Sequence, residues 1–480
     1  MVNSPVRADF KPLSLWAAVG FALLAVTAFH LAYGFAAVNF LIAVYLFGLF
    51  ELTRLATAKQ ASYLGLAVGM LIFAPQMGFL WTIFGPAAVA LWFVLAFWIR
   101  LFLVLGRWVR LRFGAGVAAL LLPLLWTGLE YFRSEMYYLR FTWFNEGYVF
   151  AGHRGWLPMA LVGMYGCGFV LMAAIALLSR LTGARRLVAS LIGLVSLAGL
   201  VNLPLPAPVD SRPAAPNSSV VVAGLQLEFP TEPEVVFKLD QLIKAHPEAQ
   251  LLVLSEYTIP GPLPERMKAW CRQRQKYLIV GAEAMLPDDQ YYNTAFVIGP
   301  QGDVLFQQAK SVPIQFFKDG RPAAAQTLWN SPWGRIGLCI CYDLSYRQVT
   351  DELVRQGAQA LIVPTMGVAT WGAHQHALHA RVAPLRAAEY GIPIFRLASS
   401  GISQVVNPRG EVLATAPFLG DSATIVGTLT LGPAGTRPRD RLLVQLAVGI
   451  TVLLTGWCVV DGVRRSRQNR RKKHVVATKN

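Results

Sequence analysis

Charged residues are scarce in this sequence, and acidic residues are fewer than basic ones. Only 14% of the 480 residues are Asp, Glu, Lys or Arg, whereas 55% are hydrophobic and the mean hydropathy is +0.46. So low a fraction of charged residues with so high a fraction of hydrophobic residues is outside the range of ordinary soluble enzymes. We therefore expect much of the chain to be embedded in a membrane.

Cysteine is also rare, and its few positions have no pairing pattern. The five cysteines are Cys167, Cys271, Cys339, Cys341 and Cys458. Two of them lie in apolar stretches that would be in lipid, and none has the spacing of a disulfide framework or of a zinc site. The sequence therefore excludes a fold that is held together by disulfides or by a cysteine-bound metal.

Three histidines lie close together but do not form a metal-binding pattern. His374, His376 and His379 are offset by two and three residues, which does not put all three on one face of a helix. No carboxylate or thiol with matching spacing accompanies them. We expect a partly exposed helix start here, and we predict neither a metal nor a cofactor for the protein.

Long apolar runs take the place of the missing charge. Seven of them, each near the length that crosses a bilayer as a helix, come before the more polar middle of the chain. They are Leu13–Leu31, Ala36–Leu52, Tyr63–Ile83, Ala87–Leu105, Gly116–Tyr131, Leu157–Leu178 and Val188–Leu203. An eighth, Leu442–Val460, follows that middle part, so the sequence predicts a polytopic helical membrane protein with about eight spans.

The basic residues between these segments predict the orientation of the chain. Three alternate connections carry them: Arg54 with Lys59, Arg107 with Arg110 and Arg112, and Arg180 with Arg185 and Arg186. Basic connections face the cytoplasm. With seven spans before it, the polar middle part is then expected outside the cytoplasmic membrane, with both termini inside.

The net charge of +17 does not indicate a nucleic-acid partner. Residues 205–440 contain 20 Lys or Arg and 20 Asp or Glu, so the basic excess belongs to the flanks of the membrane segments. Seven Lys or Arg between Arg464 and Lys473 follow the last span. We interpret them as a stop-transfer flank that can also attract the anionic lipid bilayer.

The middle of the chain has the alternating pattern of an α/β domain. Strand-like runs lie at Val220–Leu225, Leu251–Leu254, Tyr277–Val280, Thr294–Ile298, Ile336–Ile340, Ala360–Val363 and Ile394–Leu397. Helical periodicity lies at Glu234–Ala245, Pro264–Gln275, Val349–Gln356 and His376–Tyr390. We predict a membrane domain over residues 1–213, a catalytic domain over 214–436, and a final span with its basic tail over 437–480.

The stretch Gly337–Asp343, GLCICYD, contains the candidate nucleophile. An apolar run breaks there into a turn, which is where a nucleophile can be held above a sheet. Cys341 is that candidate, whereas Cys339 is better explained as a buried strand residue. A thiol reacts as the thiolate, so Cys341 needs a base or a positive charge from elsewhere in the chain.

Two candidate partners follow strand-like runs upstream. Glu256 comes after Leu251–Leu254, and Lys310 comes after Val304–Ala309. Taken singly, Glu256 could cap a turn and Lys310 could be a solvated surface charge. A carboxylate, an ammonium and a thiol at strand ends can also meet at one edge of a sheet.

These three contexts resemble the nitrilase (carbon–nitrogen hydrolase) superfamily. LVLSE ends at Glu256, YYNTAFVIGPQGDVLFQQAK ends at Lys310, and GLCICYD holds Cys341. The resemblance implies a four-layer α-β-β-α sandwich with a Glu-Lys-Cys triad. In that triad Glu256 is the base, Cys341 is the nucleophile, and Lys310 with backbone N–H groups near Tyr342 stabilises the oxyanion.

The membrane part resembles the bacterial apolipoprotein N-acyltransferase family. The matching stretches include Trp126–Arg133, Phe141–Trp143 and Gly163–Gly166. The resemblance implies a membrane phospholipid as acyl donor and the amine of a diacylglyceryl-cysteine at a lipoprotein N-terminus as acceptor. Within the first stretch, Glu130 and Arg133 either pair at a helix end or act beside the lipid path.

The sequence departs from the acyltransferase pattern at three places. A glutamate that assists the site in the family is replaced by Lys318 or Asp319. The residue after Tyr342 is Asp343 where the family has glutamate. The loop beginning at Thr365 keeps only the tryptophan, Trp371, and the glycine of the family pattern.

These departures keep two other functions open. In one, water replaces the amine, and the protein is a membrane-anchored amidase or hydrolase of nitrilase type. In the other, the protein is an inactive binding or scaffold module of the envelope, which the intact triad disfavours.

Overall fold

The structure is a computed structural model that describes residues 10–151, 158–202, 218–420 and 422–477, with side chains described up to residue 468. Apolar helices make up its N-terminal part. They are α1 (Leu15–Gly34), α2 (Ile42–Leu52), α3 (Ala58–Gln76), α4 (Phe79–Phe84), α5 (Ala88–Tyr131), α6 (Met159–Leu178) and α7 (Gly183–Asn202). The predicted ends Leu157 and Leu203, and the predicted domain boundary at 213/214, lie outside the described residues.

Five stretches of the described chain are long and apolar enough to cross a membrane. They are Leu15–Gly34, Phe79–Met136, Met159–Leu178, Gly183–Asn202 and Asp440–Gln468. The helical membrane class is therefore confirmed. All eight predicted segments overlap helices, but Ala36–Leu52 is shorter than these five and Tyr63–Ile83 is divided between α3 and α4. The exact number of spans therefore stays a prediction.

Helix α5 is a hairpin rather than one straight rod. Gly114 interrupts it with φ 79° and ψ 173°, a conformation that glycine adopts without steric cost. The two arms then pack against each other, since the rings of Phe102 and Trp126 lie 5.0 Å apart. The segments predicted as two spans, Ala87–Leu105 and Gly116–Tyr131, are these two arms.

The three basic connections meet at one end of the helical bundle. Glu51 binds Arg54 at 2.6 Å and also binds Arg186, and Arg107 donates to the carbonyl of Leu55 at 2.8 Å. Three connections from distant parts of the sequence therefore lie at the same level. This is the arrangement that the alternation of basic residues predicts.

The α/β domain packs on the opposite end of the bundle. Arg381 donates to the carbonyl of Tyr33 at the end of α1 at 2.6 Å. His374 lies 3.1 Å from the amide of Gln76 at the end of α3. The domain is therefore fixed to the ends of several membrane helices.

Two six-stranded sheets form the core of this domain. The first has the order β12-β1-β2-β3-β4-β5 and the second β11-β10-β9-β8-β7-β6. The strands are β1 (Ser219–Leu225), β2 (Leu251–Val253), β3 (Tyr277–Met285), β4 (Tyr291–Ile298), β5 (Val304–Ala309), β6 (Leu328–Ser331), β7 (Gly334–Leu338), β8 (Ala360–Thr365), β9 (Ile394–Ala398), β10 (Ser403–Val406), β11 (Val412–Ala416) and β12 (Thr424–Thr430). The helices are α8 (Glu232–Ala245), α9 (Glu265–Arg274), α10 (Arg347–Arg355), α11 (Ala373–Ala380) and α12 (Val382–Tyr390), followed by the membrane helix α13 (Asp440–Ala477).

Alternating side chains of the central strands pack the layers together. In β2, Leu252 joins the cluster that contains Leu239 of α8 and Trp270 of α9, whereas Leu251 and Val253 belong to the main core. The two sheets face each other closely, because a Cβ on Gly224 would lie 2.6 Å from the side chain of Leu397. The four-layer α-β-β-α sandwich that the nitrilase resemblance implies is confirmed.

The predicted secondary structure differs from the structure in two respects. The sequence patterns did not predict β6, β10, β11 or β12. The stretch His376–Tyr390 is helical as predicted, but it is divided between α11 and α12, because the chain turns at Arg381. Pro384 lies in the first turn of α12, where a missing N–H costs nothing, whereas inside one continuous helix it would break the hydrogen-bond pattern.

Candidate active site

The three candidate catalytic residues follow the ends of three strands. Glu256 comes three residues after β2, Lys310 directly after β5, and Cys341 three residues after β7. The first two strands belong to one sheet and the third to the facing sheet. The residues therefore meet between the two sheets, at the edge where these strands end.

Cys341 lies at the sharp turn that the sequence predicts. Its φ of 50° is in the left-handed region, which a residue with a Cβ adopts only when the surrounding structure holds it there. The thiol is 3% exposed and donates to the carbonyl of Met366 with a sulfur–oxygen distance of 3.7 Å. Cys339 is fully buried in the core behind this turn.

Both oxygens of Glu256 are fixed by hydrogen bonds. One accepts from the Nζ of Lys310 and from the side-chain amide of Asn293, each at 2.7 Å. The other accepts from the N–H of Met366 at 2.7 Å. The backbone around Glu256 can lie close to β3 because residue 281 is a glycine. A Cβ on Gly281 would lie 2.5 Å from the carbonyl oxygen of Ser255.

Lys310 is fully buried between two carboxylates. Its Nζ lies 2.7 Å from an oxygen of Glu256 and 2.7 Å from an oxygen of Asp319. Burial alone would lower the pKa of Lys310, but the two carboxylates outweigh burial and hold this pKa well above its ordinary value. The ammonium is therefore charged and held in one position.

Asp319, and not Lys318, is the residue bound to Lys310. Asp319 also accepts hydrogen bonds from the amide of Asn293 at 2.8 Å, the N–H of Ile314 at 2.8 Å and the hydroxyl of Tyr257 at 3.1 Å. Lys318 is exposed and lines a cavity, so of the two alternatives that the sequence left open, the contact with Lys310 favours Asp319. Adjacent residues of a turn point in different directions, and only one of the two faces Lys310.

The surroundings of Cys341 keep its proton on the sulfur. Burial raises the pKa of the Cys341 thiol most, the charge of Glu256 raises it further, and the charge of Lys310 lowers it. The net pKa lies well above the ordinary value of a cysteine. The thiol can therefore become a nucleophile only if a base removes its proton during the reaction, and the charge of Glu256 acts directly on it.

Asp343 connects the Lys310 segment with the nucleophile turn. Its carboxylate accepts from the N–H groups of Ser311 at 3.0 Å, Val312 at 2.7 Å and Ile340 at 3.2 Å. Burial raises the pKa of Asp343 to about 7, although Lys310 and these N–H groups oppose the rise. Asp343 thus positions the two catalytic segments relative to each other.

The membrane domain contributes a segment to the site between α5 and α6. The carbonyl of Arg140 accepts from the hydroxyl of Tyr342 at 3.3 Å. The indole of Trp143 donates to Ser345 at 3.1 Å and stacks on His379 with ring centroids 4.8 Å apart. The sequence includes Phe141–Trp143 in the family resemblance, but it gave no sign that these residues reach the nucleophile turn.

Two cavities meet at the candidate active site. The first, here called the membrane-side cavity, has a volume of about 140 Å³; its walls include Cys341 and Tyr342 together with Phe84, Leu91 and Leu95 of the membrane helices. The second, called the domain-side cavity, has a volume of about 390 Å³ and is lined only by residues of the α/β domain among those described. It contains Glu256, Lys310, Lys318 and Asp319. Ile314, Phe317 and Trp371 line both cavities.

Glu130 and Arg133 are not brought to the triad. They lie 3.8 Å apart, both buried, beside a separate small cavity lined by Tyr45 and Trp126. This is the pairing at a helix end that the sequence left open as one of two alternatives. Neither residue lines the membrane-side cavity.

Two of the three histidines are buried more deeply than predicted. His376 is 1% exposed and stacks on Phe418, and His379 is 3% exposed against Trp143, so the prediction of a partly exposed helix start was wrong for both. His374, bound to Gln76, is the exposed one. Within the described part of the chain, no three His, Cys, Asp or Glu side chains are grouped to hold a metal ion.

The fold and this cluster define a carbon–nitrogen hydrolase domain that is attached to a helical membrane domain. The family model described as carbon-nitrogen hydrolase matches residues 233–438, and the model described as apolipoprotein N-acyltransferase N-terminal domain matches residues 10–177. The chain belongs to the apolipoprotein N-acyltransferase family and is an N-acyltransferase of the nitrilase superfamily. The family and the apolar helices together make it an inner-membrane protein.

Individual relatives match different shares of the chain. The apolipoprotein N-acyltransferase of Geobacter metallireducens is 25% identical over 362 residues, which cover 65% of this chain and 68% of that protein. Omega-amidase NIT2 of Bos taurus is 29% identical over 185 residues, or 35% of this chain and 66% of that protein. Among solved structures, Nit3 of Saccharomyces cerevisiae, a member of the nitrilase superfamily, is 20% identical, with a TM-score of 0.40, and covers 45% of this chain and 93% of its own.

Proposed function

We propose that the protein transfers an acyl chain from a membrane phospholipid to the N-terminal amine of a diacylglyceryl-cysteine on a lipoprotein, through a thioester on Cys341. Lipoprotein N-acylation in general follows from the family. The observation that carries the finer proposal is the membrane-side cavity, in which Cys341 shares walls with membrane helices. An acyl chain can therefore reach the thiol without leaving an apolar environment.

The composition of this cavity fits the chain and the carbonyl end of a phospholipid. Phe79, Leu80, Ile83, Leu91 and Leu95 from α4 and α5 line its membrane part. Arg140 is the only Lys, Arg, Asp or Glu among the described residues that line it. Apolar walls with few polar groups are the usual surroundings of a lipophilic ligand.

In the first half-reaction Glu256 takes the proton of the Cys341 thiol, and the thiolate attacks the ester carbonyl of the donor. Lys310 and backbone N–H groups near Tyr342 stabilise the oxyanion of the tetrahedral intermediate. The intermediate then expels the lysophospholipid alkoxide, which takes the proton back from Glu256. The products are a lysophospholipid and an S-acyl thioester on Cys341.

In the second half-reaction the amine of the acceptor attacks the thioester carbonyl. Glu256 accepts a proton from the attacking nitrogen, and the tetrahedral intermediate expels the Cys341 thiolate. The thiolate regains its proton from Glu256, and an amide is released. One carboxylate thus serves both steps, and the hydrogen bonds from Lys310 and Asn293 keep it in position.

The alternative acceptor is water, which would make the protein a hydrolase. The domain-side cavity supports water as an acceptor, because it holds Glu256 and Lys310 and is large enough for water. Omega-amidase NIT2 of Bos taurus matches 35% of this chain.

Incubation of the purified protein with acyl-labelled phospholipid, with and without a diacylated lipopeptide, separates the two acceptors. We expect the label to move to the lipopeptide as an amide and little free fatty acid to form. The Cys341→Ser variant is the background control. Release of free fatty acid at the same rate with and without lipopeptide would refute the transferase proposal.

We also propose that residues 214–436 lie on the periplasmic side and that both termini are cytoplasmic. The grouping of the basic connections at the end of the bundle away from the α/β domain supports this orientation. A single cysteine introduced at Asp288, an exposed residue of the α/β domain, should react in intact cells with a thiol reagent that does not cross the inner membrane. Labelling only after cell lysis would contradict the orientation.

A further inference from the structure

A cavity of about 430 Å³ lies at the end of the helical bundle that carries the basic connections. Lys11, Arg54, Arg110, Arg180 and Arg186 line it, and Glu51 is the only carboxylate among the described residues in its walls. We call it the basic cavity. Its volume is within the range of ligand pockets, roughly 300–1,000 Å³.

Arg110 is a built part of this cavity rather than a loose surface charge. The residue is 8% exposed, and its guanidinium donates to the hydroxyl of Thr53 at 2.5 Å and to the carbonyl of Phe50 at 3.3 Å. It also lies over the ring of Phe50, 4.4 Å from the centroid. One positive charge is thus held rigidly in the wall.

Glu51 fixes two further guanidinium groups beside Arg110. Its buried carboxylate binds Arg54 at 2.6 Å and also binds Arg186, which comes from the beginning of α7. A single carboxylate cannot neutralise five basic side chains. The cavity therefore keeps a positive excess that favours an anionic ligand.

The surface next to the cavity indicates where this anion comes from. Helix α7 leaves the cavity at Arg186, and its apolar side chains are exposed from there on, with Leu187 63%, Leu191 54% and Val195 70% exposed. Residues spaced by four lie on one face of a helix. An apolar face that begins at a basic cavity matches a molecule with an anionic head and a hydrocarbon chain.

We propose that the basic cavity binds the phosphate headgroup of an anionic phospholipid, whose acyl chains lie along the exposed face of α7. Basic pockets between membrane helices suit such headgroups, because charge and hydrogen-bond donors are placed at the level of the lipid phosphates. The site is at the opposite end of the bundle from Cys341. It is therefore distinct from the site of the acyl donor and does not depend on the proposed reaction.

Native mass spectrometry of the detergent-solubilised protein, titrated with dioleoylphosphatidylglycerol, tests this proposal. The Lys11→Gln/Arg180→Gln variant changes two exposed side chains of the cavity. A cation close to an anionic lipid contributes roughly fivefold in affinity, so we expect this variant to bind the lipid about thirtyfold more weakly. Zwitterionic dioleoylphosphatidylcholine should bind the variant and the parent protein alike.

The Lys59→Gln/Arg185→Gln variant is the matched control. It removes two exposed basic residues from the same end of the bundle, neither of which lines the cavity, and it should keep the affinity of the parent within about twofold. Lipid bound at the active site adds the same amount to the measured binding of every variant, because none of the substituted residues lines the membrane-side cavity. If the double variant does not fold, Arg180→Gln alone should lose about fivefold.

Two results would overturn the proposal. Equal losses in the cavity variant and in the control would mean that the lipid is attracted by general surface charge, and unchanged binding in the cavity variant would exclude the cavity. A separate arm with inorganic phosphate identifies the source of the anion. The shift in Tm of the parent protein is measured with the lipid and with inorganic phosphate. If inorganic phosphate raises the Tm as much as the lipid does, the ligand is the free ion and the lipid assignment is overturned.

Discussion

The membrane-side and domain-side cavities touch the same three residues, Ile314, Phe317 and Trp371, but differ in the side chains that surround them. The membrane-side cavity has the proposed nucleophile Cys341 in its wall and is otherwise mostly apolar. The domain-side cavity holds Glu256, the proposed base, and Lys310, the proposed oxyanion donor. The difference suggests a division of labour, in which the acyl chain approaches from the membrane and the polar chemistry is done from the α/β domain.

The largest expected effect comes from removing the nucleophile. Cys341→Ser should abolish transfer of labelled acyl chains to a diacylated lipopeptide, because a serine hydroxyl in this position has no base strong enough to activate it. Cys339→Ser changes a buried cysteine two residues away and should keep most of the activity. Equal losses in both variants would mean that the defect is in folding, and the thermal unfolding of each variant checks this.

Glu256→Gln should stop both half-reactions, because removing one member of a catalytic unit usually abolishes nearly all of the reaction rate. The same substitution should nevertheless make the Cys341 thiol easier to deprotonate. The charge of Glu256 raises the pKa of Cys341, so the midpoint of the pH dependence of iodoacetamide alkylation should fall in this variant. Glu283→Gln removes another carboxylate of the domain-side cavity and should change neither property much.

An alkylation midpoint that does not move in Glu256→Gln would contradict the direct action of this carboxylate on the thiol. Full transfer activity in the same variant would exclude Glu256 as the base.

Lys310→Met should slow single-turnover acylation on the order of a hundred- to a thousandfold, the usual loss for a preorganised oxyanion donor. The alkylation midpoint of Cys341 should rise, because the charge of Lys310 lowers the pKa of the thiol. Lys318→Met, which removes an exposed charge from the mouth of the same cavity, is the control. A Lys310→Met protein as fast as the parent would make Lys310 a purely structural charge.

The smallest effect concerns the wall between the two cavities. Trp371→Ala should raise the ratio of free fatty acid to acylated lipopeptide a few-fold, because loss of the indole lets water from the domain-side cavity reach the thioester. Trp371→Phe keeps an aromatic ring there and should restore the ratio. An unchanged ratio in Trp371→Ala would mean that this residue does not separate the cavities.

The sequence was sufficient to propose the triad, because each member follows a recognisable strand and all three contexts resemble the nitrilase superfamily. It could not choose between Lys318 and Asp319, since the direction of each side chain depends on a turn that packs against Tyr257 and Asn293. The contacts of Asn293 and of the Met366 N–H with Glu256 join residues far apart in the chain. No local pattern contains that information.

The strands that the sequence missed are those with weak apolar patterns. In β11 most side chains are exposed, and β12 contains Gly427, which leaves room for Val405 of the facing sheet. The segment Arg140–Trp143 was missed as part of the site for another reason. Its contact with the nucleophile turn exists only because the α/β domain packs on the membrane helices.

The most direct test of the account is the position of the acyl group on the protein. The parent protein is incubated with phospholipid vesicles without an acceptor, digested at mildly acidic pH to preserve a thioester, and its peptides are analysed by tandem mass spectrometry. We predict one acyl chain on Cys341, which disappears when a diacylated lipopeptide is added. An acyl chain on Cys339, or an adduct on Cys341 that does not transfer to the lipopeptide, would contradict the account.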